Sequence, residues 1–230
     1  MALDVKGAKD VHIGGLKCLI YGTAGTGKTT LASTLDPERT LIVSFESGLL
    51  SLLDEPGAEH LQYIEVSTLK ELNQVYTELL KPEYQKQFDN IFIDSLSEIS
   101  ELVLATVKAD PKVYKGMQDN MKLYMITQEE MVKISKAFRD LKGYNIFMTA
   151  LADTKTIKMK EVSVPAMVGQ KLGTKMLSLF DFIFFMAVED DGKRKLYTQP
   201  TPVTEGKSRS RKLLEKEDAD LGSILNKIKG

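Results

Sequence analysis

An apolar run, Leu16 to Tyr21, leads into Gly22-Thr23-Ala24-Gly25-Thr26-Gly27-Lys28-Thr29, and these eight residues limit the chain more than any other part of it. They fit the pattern G-x-x-x-x-G-K-[ST] throughout. Glycines let the backbone turn without Cβ clashes, so successive N–H groups can converge on phosphate oxygens. A helix expected from about Lys28 adds its positive end. Lys28 can reach the β- and γ-phosphates, and the Thr29 hydroxyl suits Mg²⁺; Thr30 completes the expected nucleotide-binding run. An ordinary glycine turn explains the glycines but not Lys-Thr at this offset. The expected cofactors are ATP and Mg²⁺.

The rest of the chain alternates apolar strands with amphipathic helices, the mark of an α/β fold with a mostly parallel sheet. At 230 residues there is room for one well-cored domain over 1–230. Strands are expected at Leu16–Tyr21, Thr40–Phe45, Leu61–Val66, Asn90–Asp94 and Asn145–Thr149, with Phe182–Val188 and Lys195–Gln199 forming a hairpin that turns at Asp190-Asp191-Gly192. Thr68 and Glu71 have capping-box spacing, and Leu69, Leu72, Val75, Tyr76 and Leu79 form one helical face stopped by Pro82. A long helical stretch over Glu98–Lys142 breaks near Pro111 and Gly116, its methionines serving as core filler. Residues 1–15 read as a short N-terminal extension, and a last helix falls at about Asp220–Ile228 within 214–230.

Several classes are disfavoured. No apolar run approaches the roughly 20 residues of a membrane helix, so no membrane partner is expected. The start, MALDVKGAKD, lacks a signal-peptide core, which predicts a cytoplasmic protein. One cysteine, Cys18, precludes an intramolecular disulfide, and its apolar setting reads as a packed thiol. His12 and His60 stand alone. A net charge of −1 means that any grip on nucleic acid must come from a local patch or from many subunits together.

A phosphate loop needs a second anchor for magnesium, normally an acid ending a nearby strand. Asn90-Ile-Phe-Ile-Asp94 supplies one, although a strand can also end in Asp as a helix cap. Ser95 follows, where AAA+ motors place a catalytic glutamate. Asp94-Ser-Leu-Ser breaks the GTPase switch pattern, and no Leu-Ser-Gly-Gly signature of ABC ATPases occurs. A different carboxylate, Glu46, stands at the tip of the strand after the phosphate loop, placed either to activate water or to face solvent.

These features resemble the RecA/recombinase ATPase core over about Leu16 to Leu213, in the compact form found among phage nucleotide-binding or AAA-ATPase-like proteins. The fold implied is RecA-like, with a C-terminal β-hairpin extension. The resemblance makes Glu46 the catalytic base, Asp94 the magnesium acid and Thr149 the γ-phosphate sensor, with Ala150 where the family often has glutamine. It also makes Lys207 and Arg209 paired cations that reach a neighbouring subunit's nucleotide, and it puts a second DNA loop between Thr149 and Asp181. Lys155, Lys158, Lys160, Lys171 and Lys175 lie in that segment, whose glycines and small polar residues suit a mobile loop. Tyr114 is a candidate for a first loop.

The bland counterparts are a solvated lysine loop and a solvated basic tail. The resemblance implies an ATPase forming a homo-oligomeric ring or filament on single-stranded DNA in phage recombination or strand annealing, with a single-strand binding or annealing protein as a further partner. Phage encoding would place it in the host cytoplasm. Rival classes are a P-loop kinase, though Arg139, Arg194, Arg209 and Arg211 do not have the spacing of an arginine-rich lid, and a nucleotide-dependent loader or packaging adaptor.

Overall fold

Runs rich in Ile, Val, Leu and Phe that are buried on both faces form the centre of a parallel sheet. The structure, a computed structural model, describes residues 15–45, 48–53, 55–113, 120–157 and 159–229. Its strands are β1 (Lys17–Gly22), β2 (Thr40–Ser44), β3 (Gln62–Glu65), β4 (Asn90–Asp94), β5 (Asn145–Ile157), β6 (Lys160–Pro165), β7 (Phe182–Val188), β8 (Arg194–Tyr197), β9 (Lys207–Ser208) and β10 (Lys216–Asp218). The helices are α1 (Leu69–Leu79), α2 (Pro82–Gln87), α3 (Leu96–Ala109), α4 (Asn120–Arg139), α5 (Leu172–Leu177) and α6 (Leu221–Lys229).

The strands run β10-β8-β7-β1-β5-β4-β2-β3 across the sheet. From β7 to β3 all neighbours are parallel. β8 returns antiparallel beside β7, with Gly192 (φ +80°) in the turn, and β10 pairs antiparallel with β8. The expected hairpin extension is thus present.

Successive side chains leave the sheet on opposite faces, so each strand feeds two cores. Leu19, Tyr21, Ile91, Ile93, Ile146 and Met148 pack on one face with residues of α1, α3, α4 and α5. Cys18, Ile20, Phe92, Phe147 and Phe184 pack on the other with the turn after β1 and with α6. Each such fully buried apolar side chain stabilises the fold by about 1.5–3 kcal/mol. The Thr68–Glu71 capping box forms, and Met131 is core filler as expected, whereas Met121 and Met125 are exposed.

Two expectations are corrected. The helix after the phosphate loop is only a 3₁₀ turn, Thr29–Thr34. Hydroxyls of Thr30, Ser33 and Thr34 donate to the carbonyls of Gly27, Thr30 and Leu31, competing with helical bonding, and Pro37 follows closely. The expected break near Pro111 is present, with α3 ending at Ala109 and α4 starting at Asn120; Tyr114 and Gly116 lie outside the described residues. The segment read as a mobile loop is largely regular. β5 continues past Thr149 to Ile157 and pairs antiparallel with β6, and α5 comes after. Alternating Val162 and Val164 are buried there, so β-branched residues prevailed over the turn-prone composition.

Candidate nucleotide site

Parallel strands end together, and the carboxyl end of this sheet gathers the polar groups. Beyond β1, Gly25 (φ +77°) and Gly27 (φ +89°) take left-handed backbone that other residues rarely adopt. Thr26 Oγ1 donates to the Thr23 carbonyl at 2.9 Å and closes the turn. Lys28, 9% exposed, curls over the loop and donates to the carbonyls of Gly22 (3.0 Å) and Thr23 (2.8 Å). Its ammonium therefore lies over the loop mouth, held by weak acceptors that a phosphate can replace.

Asp94 comes from β4, which is separated from β1 by β5. Thr29 Oγ1 donates to Asp94 Oδ2 at 2.6 Å, and Thr149 Oγ1, from the intervening β5, donates to Asp94 Oδ1. One buried carboxylate thus joins β4, β5 and the turn after β1. The Asp94–Ser95 peptide is cis, and Ser95 caps α3, accepting from the Glu98 amide at 3.4 Å. A cleft of about 470 Å³ opens above, lined by Ala24, Gly25, Gly27, Lys28, Thr29, Thr30, Ser51, Glu55, Asp94, Ser95, Leu151 and Arg194. A larger depression of about 570 Å³ lies beside β3 among Leu49, Leu50, Leu53 and Tyr63, but its charged lining groups are Glu59 and Glu65, which would repel phosphate.

Arg194 was not assigned to the site from sequence. Its Nη1 donates to Thr30 Oγ1 at 3.1 Å across 164 residues, and it lies 3.9 Å from Glu55. A Cβ on Gly27 would meet its guanidinium at 2.8 Å, so glycine at that position also makes room for the arginine. The available signal was a scarce arginine on the hairpin after an apolar strand, which becomes meaningful only once β7 is known to neighbour β1.

The other expected residues are spread out. Glu46 and Lys158 lie outside the described residues; the described chain reaches Phe45, whose amide donates to the Asp94 carbonyl at 2.8 Å. Lys155, Lys160, Lys171 and Lys175 sit on or after the β5–β6 hairpin, which extends about 20 Å beyond the level of Gly22. Lys160, Lys171 and Lys175 are exposed, while Lys155 Nζ donates to the Gln170 carbonyl at 2.5 Å.

The hairpin is tied to the phosphate strand. The Tyr21 hydroxyl lies within hydrogen-bond distance of the carbonyls of Glu205 (2.7 Å) and Ser163 (3.0 Å), with one proton to donate between them, and burial pushes this phenol well above its ordinary range. Lys207 and Arg209 are at the other end of the sheet. Pairing of β9 with β7 sets Lys207 level with Leu19 and Arg209 near the level of Lys17, about 10 and 16 Å below Gly22. Neither lines its own chain's cleft.

A glycine loop, a buried lysine and a hydroxyl–carboxylate pair at the carboxyl end of a parallel sheet define a P-loop nucleoside-triphosphatase fold. Residues 14–210 match the family described as AAA domain (AAA_24), and the chain belongs to that family. Among solved structures it is similar to "a prototypical ATPase from the type III secretion system of pathogenic bacteria", with a TM-score of 0.50 and 14% identity. That match covers 75% of this chain and 52% of the other, so the chain spans about half of the protein it resembles, and the likeness is one of fold. No curated protein matches the sequence. Among the described residues no helix is long and apolar enough to cross a membrane, and no cluster of three or more His, Cys, Asp or Glu forms a metal site.

Proposed function

We propose that the chain binds ATP with magnesium and hydrolyses it, assembling on single-stranded DNA in recombination or strand annealing. The observation that carries the nucleotide half is the 2.6 Å contact between Thr29 Oγ1 and Asp94 Oδ2, beside a lysine over the loop mouth. That donor set, a hydroxyl and a carboxylate, is the hard-oxygen type magnesium prefers. Bound there, magnesium supplies neutralisation of charge on the β- and γ-phosphates. Lys28 leaves the loop carbonyls for phosphate oxygens, and Thr149, buried behind Asp94, orients its carboxylate. Glu46 accepts a proton from water as the water oxygen bonds to γ-phosphorus and the bond to the bridging oxygen breaks, releasing ADP and phosphate.

The DNA half is supported by the exposed lysines of the β5–β6 hairpin and α5, and by the Tyr21 link between that hairpin and the phosphate strand. Each single-strand phosphate contact adds only about 0.7 to the salt slope, so a few lysines per subunit bind weakly and a homo-oligomer gains avidity along one strand. The test is phosphate release with and without single-stranded DNA over a range of protein concentrations, with sedimentation of the same samples. Concentration-dependent, DNA-stimulated release is expected, and it is weakened when Lys160, Lys171 and Lys175 are replaced by Ala. Hydrolysis indifferent to both DNA and concentration would remove the assembly reading, and a phosphorylated acceptor in place of free phosphate would make the protein a kinase.

A further inference from the structure

The phosphate loop sits between two unlike walls. Toward β5 and β4 stands Asp94, oriented by the buried Thr149, at what the reading above takes as the magnesium end of the nucleotide. Toward β7 and β8, on the other side of β1, stands Arg194. Among the described residues lining the cleft, Lys28 and Arg194 are the cations, and Asp94 and Glu55 the carboxylates. Lys28 and Asp94 belong to the phosphate loop and the magnesium acid, which leaves Arg194 and Glu55 as a pair without a role in the reading above.

We infer that Arg194 is a nucleotide-binding residue acting within its own subunit, its guanidinium gripping the phosphate nearest the nucleoside, and that Glu55 competes for it when the site is open. The inference rests on the nucleotide reading and adds a contact to it.

The geometry supplies the reasons. The guanidinium is held against Gly27 and Thr30, the part of the loop where the 3₁₀ turn begins, and not against Asp94. Thr30 Oγ1 already gives its proton to the Gly27 carbonyl at 2.8 Å, so it can only accept from Arg194. That uses one of the five N–H donors of an arginine. The Glu55 contact, at 3.9 Å, is an ion pair rather than a hydrogen bond, and the Arg194 side chain is 45% exposed. A planar fork with donors to spare, facing a cleft of about 470 Å³ beside a phosphate loop, suits a phosphate oxygen far better than one neutral hydroxyl. Glu55 keeps the cation in place when the cleft is open, and phosphate, carrying more charge and more acceptors, displaces it.

The test is equilibrium binding of fluorescent ADP and ATP, each with magnesium, to the full chain at concentrations where it sediments as a monomer. The variants are Arg194→Ala, Arg194→Lys, Glu55→Gln and the Arg194→Ala/Glu55→Gln double variant, each checked for an unchanged circular-dichroism melt. Arg194→Ala is expected to weaken ADP and ATP equally, by about tenfold, the size of one lost charge-assisted hydrogen bond. Arg194→Lys should recover part of the loss, because it restores the charge without the fork.

Glu55→Gln should tighten both nucleotides severalfold, and that gain should vanish in the double variant. A purely structural clamp on the loop predicts no such coupling. Arg194→Ala binding within twofold of the parent, a loss confined to ATP, or a Glu55→Gln gain that persists without Arg194 would each overturn the inference. If instead the parent chain binds no nucleotide, or Lys28→Ala binds as well as the parent, the nucleotide reading itself fails, a distinct result.

Discussion

Both ends of the parallel sheet are crowded with polar side chains, yet they use them in opposite ways. At the carboxyl end Lys28, Thr29, Asp94 and Arg194 line a common cleft, with Thr149 buried behind Asp94 and bonded to its carboxylate. At the amino end the polar groups saturate one another. Asn145 donates to Asn90 at 2.8 Å, Asn90 donates to Thr40 at 3.2 Å, and the Leu16 amide donates to Asn145 at 3.0 Å, all buried. Around them Lys17 donates to the carbonyls of Leu141 and Tyr144, Arg139 pairs with Asp140, and Arg209 pairs with Asp181. A polar group answered within its own chain is spent on the sheet's foot, whereas a charge aimed into a cleft is available to a ligand. By that criterion Arg209 belongs to the foot in this chain, and Lys207, whose Nζ donates to the Leu177 carbonyl at 3.3 Å, is likewise answered away from the cleft.

The contrast is sharpest at its extremes. Lys28→Ala should lower ATP hydrolysis by at least about 10²-fold, the scale of losing one preorganised donor to transition-state charge, with little change in the urea midpoint. A variant hydrolysing near the parent rate would strike the carboxyl end from consideration as the site. Asn90→Ala, at the amino end, should do the reverse. It leaves Asn145 and Thr40 short of a partner and should destabilise the fold by about 1–3 kcal/mol in urea titration, while nucleotide affinity per folded molecule stays the same. Arg209→Ala comes next. An exposed pair is worth under about 1 kcal/mol, so stability should barely move, and any fall in hydrolysis should appear only at concentrations where the protein assembles. A fall at monomeric concentrations would contradict the placement of Arg209 at the foot.

The smallest effect concerns Lys17, whose ammonium burial pushes down to about 8 from an ordinary 10.5. Between those values the unfolded chain holds a proton that the folded chain has released, so the Lys17 contribution to stability rises as pH increases from about 8 to 10.5. Comparing the parent with Lys17→Met in denaturant titrations over that range isolates this contribution. The parent should gain on the variant as pH rises, and equal slopes would show that the foot tolerates the charge without strain.

Much of the carboxyl end was legible because its chemistry is local. The Gly22–Thr29 run sets its own backbone, and a strand ending in Asp94 advertises a carboxylate at the carboxyl end of a sheet. Arg194 was not legible, since nothing near it in sequence mentions Thr30. The hairpin after Thr149 was misread for a related reason: glycines and lysines suggested a loop, while the burial of Val162 and Val164 that makes it a strand pair depends on distant neighbours.

What the sequence alone determined, then, is the phosphate loop, the strand–helix alternation and the capped start of α1, because each follows from bonding and sterics within a few residues. The order of the strands, the meeting of Thr29, Thr149 and Asp94, and the assignment of charges to cleft or foot were decided only by the folded sheet. Side chains far apart in the chain acquire partners when parallel strands pack in one register, and burial then raises the cost of leaving any of them unpaired.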